Sequence, residues 1–182
     1  MSTANEELLP DEIVTRRLKL RPYRFSDVPE MYAYVQEPGG NRFLEGSGEP
    51  LTEKQTEEII ARHILVDKDV RNVWAITIDD VPVGAISINF AKARRIAEIG
   101  YHIKQALWGQ GYASEAAKAV VDTAFATCRN LQRIQANIHP DNVGSIRVAQ
   151  RAGMAFEATL RSYSYVAGEV TDEVVYSILR SK

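Results

Sequence analysis

Three segments carry residue types and spacings that could do chemistry together. The first is Trp108-Gly109-Gln110-Gly111-Tyr112-Ala113. Small residues let a backbone pass close to a ligand, and a helix start offers unpaired N–H groups at the positive end of its dipole. A pyrophosphate is the natural guest. The segment lacks the Gly-Lys-Ser/Thr of a P-loop, and its spacing is not the glycine triplet of a dinucleotide fold. The second is Ala97-Glu98-Ile99-Gly100-Tyr101-His102-Ile103. Alternation puts Ala97, Ile99, Tyr101 and Ile103 on one face and Glu98, Gly100 and His102 on the other. A glycine inside a strand marks a bulge or a close backbone approach. If the strand splays from its neighbour there, its amides and carbonyls are open to an extended, amide-bearing ligand such as pantetheine, by strand addition. The third is Asn142-Val143-Gly144-Ser145, which opens a helix with two polar side chains near that cleft.

These segments need elements to hold them. Residues 16–22 alternate as a strand, and Ser26 or Asp27 suits the N-cap of a helix with Pro29 in its first turn. Gly39-Gly40 and Gly46-Ser47-Gly48 flank a loop-rich segment that reads as mobile. Thr52 and Gln55 have capping-box spacing before an apolar face of Ile59, Ile60 and Ile64. Strands are expected over 73–78 and 83–90, joined around Asp79-Asp80, and over 96–103. A helix over 112–128, a strand over 133–138, a helix ending before Gly153, and strands over 154–161 and 172–179 complete the chain. The order implies a mixed α/β (α+β) fold on one mostly antiparallel sheet with flanking helices, without the strict alternation of a doubly wound fold. Residues 1–12 read as a flexible terminus and 13–182 as one domain.

Composition narrows the function classes. With 182 residues, 45% hydrophobic and 25% charged, the chain can bury a sizeable core. A net charge of −2 leaves the chain as a whole no footprint for nucleic acid or an anionic membrane. No apolar stretch approaches the roughly 20 residues that span a bilayer, and Met1 to Pro10 lacks the pattern of a signal peptide. Cys128 is the single cysteine, so no intrachain disulfide forms and a cytoplasmic setting is expected. It falls in an alanine-rich helical stretch and reads as a small core residue.

The ordered set of motifs resembles the GNAT superfamily of acetyltransferases, most closely the branch similar to the N-terminal acetyltransferases of ribosomal proteins. The resemblance covers about residues 14 to 180. It rests on Thr-Arg-Arg-Leu-Lys-Leu-Arg-Pro, Glu-Ile-Gly-Tyr, Leu-Trp-Gly-Gln-Gly-Tyr-Ala-Ser-Glu-Ala, Asn142-x-x-Ser145, Arg151-x-Gly153-Met154 and the Gly-x-x-x-Asp of residues 168–172. It implies acetyl-CoA as co-substrate and a splayed central strand pair. Trp108, Gly109, Gln110, Gly111, Tyr112 and Ala113 would then hold the pyrophosphate; Tyr101, His102 and Ile103 would pair with pantetheine; Asn142 would hydrogen-bond the cofactor arm. Trp108 stands where the superfamily's general pattern has Arg or Gln, as is normal for this branch. Ala149 stands where many members carry a tyrosine acid for the thiolate.

Acetyl transfer to an amine needs a base, a polarised carbonyl and a tolerable thiolate. Glu98 is the first choice of base, through a water, because it leads the cleft strand; the alternative is an ion pair with Arg94 or Arg95. Ser145 is the best partner for the sulfur, or else it binds local backbone. Arg147 and Arg151 could meet the 3′-phosphate or solvate a helix face, the latter reading favoured for Arg151. His102 and His139 could line the acceptor pocket, and so could Tyr163 and Tyr165, for which half-buried sheet positions are the plainer reading. Glu115 favours the helix dipole and reads as structural. His63, His102 and His139 do not share metal-ligand spacing, so no metal is expected. The expected partner is an amine acceptor, either a protein N-terminus or a small molecule; a homodimer is left open. A coenzyme A sensor without turnover is the rival of another class.

Overall fold

The computed structural model describes residues 8–36, 51–166 and 168–181. The loop-rich segment around Gly39-Gly40 and Gly46-Ser47-Gly48 lies outside them. In chain order the elements are β1 (Ile13–Val14), β2 (Lys19–Arg21), α1 (Val28–Val35), α2 (Glu53–Ile64), β3 (Arg71–Ile78), β4 (Val81–Ala91) and β5 (Ile96–Ile103). They continue with α3 (Tyr112–Thr127), β6 (Arg133–Ile138), α4 (Val143–Arg151), β7 (Ala155–Val166) and β8 (Glu169–Leu179). The strands form one sheet in the order β1-β2-β3-β4-β5-β6-β8-β7, and only β5 and β6 run parallel. The expected mixed, mostly antiparallel sheet is therefore the observed one.

Strand β3 shows why its sequence is apolar at nearly every position. Trp74 and Ile76 join the core on the face covered by Val120, Val121 and Ala124 of α3. Val73 and Ala75 join a second core with Met31 and Tyr34 of α1 and Ile60 of α2. The sheet is covered on both faces there, so alternation gives way to continuous burial. Leu9 is buried in the first core, and Trp74 Nε1 donates to the Pro10 carbonyl at 3.2 Å, which ties down the segment before β1.

Local signals account for most boundaries. Thr52 and Gln55 form the capping box of α2. Asp79 and Asp80 both have positive φ, 51° and 63°, between paired Ile78 and Val81, the two-residue turn whose twist matches a hairpin. Two expectations need correction. The strand over 16–22 is shorter, because Thr15 donates its backbone N–H and Oγ1 to the Leu18 carbonyl and accepts the Leu18 N–H, a turn that lets β1 fold onto β2. Asp27 stands at the start of α1 without capping it. Its carboxylate takes both Arg21 Nη1 and Nη2, at 2.8 and 2.9 Å, and the Arg24 backbone N–H at 2.9 Å.

Candidate active site

The centre of the sheet opens between β5 and β6. Strand β5 pairs with β4 along its whole length, from Ala91 opposite Ile96 to Gly84 opposite Ile103. With β6 it pairs only from Ile96 to Glu98, opposite Arg133 to Gln135, although both strands run on. The register on β4 is regular through Gly100, so the splay comes from the departure of β6 and not from a bulge. Close approach occurs instead at Gly84, where a Cβ would lie 2.3 Å from the His102 carbonyl oxygen.

Two flanking hydrogen bonds fix which amides face the gap. Gln132 N–H donates to Arg95 O at 2.8 Å, and Lys104 N–H donates to Val83 O at 2.8 Å. Alternation along β5 then aims the backbone groups of Ile99, Tyr101 and Ile103 toward the side that β6 has left. The His102 backbone points at β4 instead. Ile103 O is taken by Trp108 Nε1 at 2.8 Å, which folds the turn over 108–113 back against the end of β5.

That turn leads into α3. Gly109 and Gly111 have φ of 75° and 82°, and Gly111 is the N-cap residue but offers no side-chain acceptor. Helices α2 and α4 are each capped by a side chain, whereas the first N–H groups of α3 are left to whatever lies beyond. Arg17 braces the turn from outside. It donates to Gln110 O at 3.0 Å and to Glu115 Oε2 at 2.7 Å, and its guanidinium lies 4.2 Å from the Tyr112 ring centroid. Glu115 also accepts from Thr15 Oγ1 at 2.7 Å. Burial alone would raise its pKa, but hydrogen bonds from Thr15 and Arg17 outweigh that and hold it below the usual range. Glu115 is thus structural, and the anchoring role of Arg17, inside the quoted opening motif, had no local signal in the sequence.

Helix α4 closes the other wall. Asn142 caps it by accepting the Ser145 N–H at 3.0 Å through Oδ1, which leaves its Nδ2 donor for other partners. Tyr101 reaches across from β5 and donates to the Ser145 carbonyl at 2.8 Å. Burial pushes the Tyr101 phenol well up from its ordinary pKa, so it remains a donor. Ala149 is fully buried in the core. Glu98 is exposed at the last β5–β6 pair, where the gap begins. Arg147 and Arg151 are exposed on α4, and His139 Nδ1 accepts the Asp141 N–H at 3.1 Å. Cys128 is buried in the core and accepts from Arg94 Nη2 at 3.2 Å. Tyr163 and Tyr165 are exposed on β7, not half-buried, because alternation buries Ser164 and Val166 on one face and turns the two tyrosines to the other, uncovered face. Among the described residues no cluster of three or more His, Cys, Asp or Glu could hold a metal, and no helix is long and apolar enough to cross a membrane.

The opposite face of β5 carries the His102 ring, which stacks on Tyr34 of α1 and is hydrogen-bonded by its hydroxyl. His63 of α2 lies nearby against Tyr23, with a buried Nδ1 that has no partner among the described residues. The C-terminal end of α2 would favour a charged imidazole, but burial wins. Burial and the Arg71 and Arg62 charges push His63 down to about 4, and burial and His63 push His102 down to about 4. Unfolded histidine titrates near about 6.5, so between these values the unfolded chain binds more protons than the folded one. Stability is then fully present above about pH 6.5 and falls as pH drops toward 4, by about 2–4 kcal/mol between pH 7 and 4.5. Urea unfolding at both pH values measures this; the same slope in the His63→Gln, His102→Gln double variant would remove the histidines as its cause.

The family model described as an acetyltransferase (GNAT) domain matches residues 17–155. An uncharacterized N-acetyltransferase of Bacillus licheniformis, p20, is 29% identical over 175 residues, covering 93% of this chain and 97% of that protein. The ribosomal-protein-serine acetyltransferase of Escherichia coli (strain K12) is 26% identical over 128 residues, 69% of this chain and 71% of that protein. A solved structure of RimL, the ribosomal L7/L12 alpha-N-protein acetyltransferase in complex with coenzyme A, has a TM-score of 0.81 at 22% identity, covering 95% of this chain and 98% of that one. At that identity it speaks for the fold. The ribosomal-protein-serine acetyltransferase among these relatives agrees with the branch that the motifs resemble. With a matching domain model over most of its length and the split central sheet described above, the chain belongs to the GNAT acetyltransferase family.

Proposed function

We propose that this acetyltransferase moves the acetyl group of acetyl-CoA directly to a primary amine, with a protein N-terminal α-amine as the first acceptor class. The observation that carries this reading is the gap itself. Strand β5 turns the amides of Ile99 and Tyr101 into it, and the next helix in the chain starts without a side-chain cap. The first feature suits the amides of a pantetheine arm and the second suits a diphosphate. Nδ2 of Asn142, whose Oδ1 the cap uses, serves the arm.

In the transfer the carbon–sulfur bond breaks and a carbon–nitrogen bond forms, the amine loses a proton and the thiolate gains one. A protein α-amine titrates near about 8, against about 10.4 for lysine, so a modest base suffices for it. Glu98, exposed where the gap opens, is that base through a water. A backbone N–H of β5 polarises the thioester carbonyl. Ser145 Oγ is the donor nearest in the chain to the Asn142 cap and serves the sulfur in place of any group at Ala149.

Thiol release from acetyl-CoA with a panel of amines, with mass spectrometry of the products, tests this. Release with peptide α-amines supports the first acceptor class, and release only with polyamines, amino sugars or amino acids moves the reading to small molecules. Coenzyme A binding without release on any amine overturns catalysis in favour of a sensor. Glu98→Gln is expected to lower turnover about 10–100-fold, and more at low pH than at high pH, where the amine is already neutral. An unchanged pH–rate profile would remove Glu98 as the base.

A further inference from the structure

The sheet face that carries Glu98 continues across β6 to a second carboxylate. Register places Gln135 beside Glu98, Asn137 two residues on, and Val175 of β8 opposite Asn137. Two residues back along β8 on the same face is Glu173, one position past the last β6 pair, Ile138 with Val174. Glu173 is thus level with the open end of the gap, one strand beyond β6, on the face away from α3 and α4.

Glu173 is not an ordinary surface carboxylate. Its Oε1 accepts from Ser164 Oγ of β7 at 2.5 Å, and Ser164 is only 8% exposed. Its Oε2 is buried with no hydrogen-bond partner among the described residues, and so is Thr171 Oγ1, two residues away on the same face. Thr171 is itself the register partner of Ser164. No Lys, Arg or His pairs with Glu173 among the described residues. A buried carboxylate oxygen without a donor is costly, and two such oxygens on one side of a hydroxyl-bearing pair form a set of acceptors lacking its donors. A primary ammonium is the complementary group, since it is cationic and carries three N–H donors.

We propose that Glu173, with Thr171 and Ser164, forms an ammonium subsite that holds the charged amine of the acceptor on the Glu98 face of the sheet. Glu173 sets specificity for cationic amines, and Ser164 fixes its carboxylate through Oε1, so that Oε2, buried in the free protein, is left to pair with the ammonium. The inference deepens the proposed amine acetylation and takes the nature of the ligand from it.

The test separates the two. Calorimetric titration of n-butylamine and of trialanine amide into the protein saturated with coenzyme A reads binding without turnover. Glu173→Gln keeps the shape and the bond to Ser164 but removes the charge. Affinity for both amines is expected to fall about tenfold or more, the coenzyme A dissociation constant serving as the fold control. With acetyl-CoA, KM for the amine is expected to rise by a similar factor while KM for acetyl-CoA stays. Thr171→Val is expected to give a smaller loss, and Glu173→Asp to recover part of the affinity. Equal amine affinities for wild type and Glu173→Gln overturn the subsite, and so does failure of the wild type to bind either amine. Amine binding that depends on Glu173 without thiol release would leave the subsite standing and sink the transferase reading alone. A purely structural carboxylate would change the melting temperature and leave the amine KM unmoved.

Discussion

Gly111→Val is expected to weaken coenzyme A binding about 100-fold while leaving the protein folded. Gly111 has φ of 82°, a region that a β-branched residue enters only under strain of about 1–3 kcal/mol. Space is not the obstacle, since a Cβ there would meet only Arg17 Nη2 at 3.6 Å. The loss comes from two methyl groups placed at the start of α3, over the N–H groups that the diphosphate is proposed to use. Losing about two charge-assisted hydrogen bonds, each about 1.5–3 kcal/mol, corresponds to about 100-fold or more. Gly111→Asn tolerates positive φ and adds no branched bulk, so its binding should lie between. Calorimetric affinity with melting temperature as companion separates strain from a lost seat. Wild-type affinity in the valine variant would place the diphosphate elsewhere.

Asp27→Ala is expected to destabilise the fold by about 3–5 kcal/mol, a large share of the about 5–15 kcal/mol that holds a domain together. Arg21 is 1% exposed, and each of its donors is used. Nε goes to Asp80 Oδ1 at 2.7 Å, Nη1 to Pro22 O and Asp27, and Nη2 to Asp27 and Asp80 O. Removing Asp27 leaves a buried guanidinium with two donors unpaired. Removing both charges, in Arg21→Met with Asp27→Leu, should cost less than Asp27→Ala alone, because an apolar pair leaves nothing unsatisfied. Chemical unfolding of the single and double variants decides it; a loss below about 1 kcal/mol for Asp27→Ala would show that water reaches Arg21. The network also ties β2 and the β3–β4 turn to the start of α1, which presents Tyr34 to His102.

Local signals made much of the fold legible. Strand β5, strand β6, the α2 capping box and the Asp79-Asp80 turn follow from alternation, caps and turn chemistry, each settled within a few residues. The acetyltransferase family was legible too, through motifs that stay contiguous in the chain. Pairings between distant segments were not. Nothing near Arg17 announces Glu115 or the Gln110 carbonyl, and nothing near Asp27 distinguishes a cap from the partner of a buried arginine. Which face of β7 is covered, burying Ser164 and Val166 and exposing Tyr163 and Tyr165, depends on how the sheet packs and not on strand propensity.

By itself the sequence determined what each segment would become and which segments could touch a diphosphate or a pantetheine arm, because those properties depend on neighbours a few bonds away. Only the tertiary structure decided where β6 leaves β5, which amides of β5 face the gap, and that Glu173 meets Ser164 with one oxygen and none of the described residues with the other. Such facts arise from long-range register and burial, where a one-residue slip would turn every side chain to the other face.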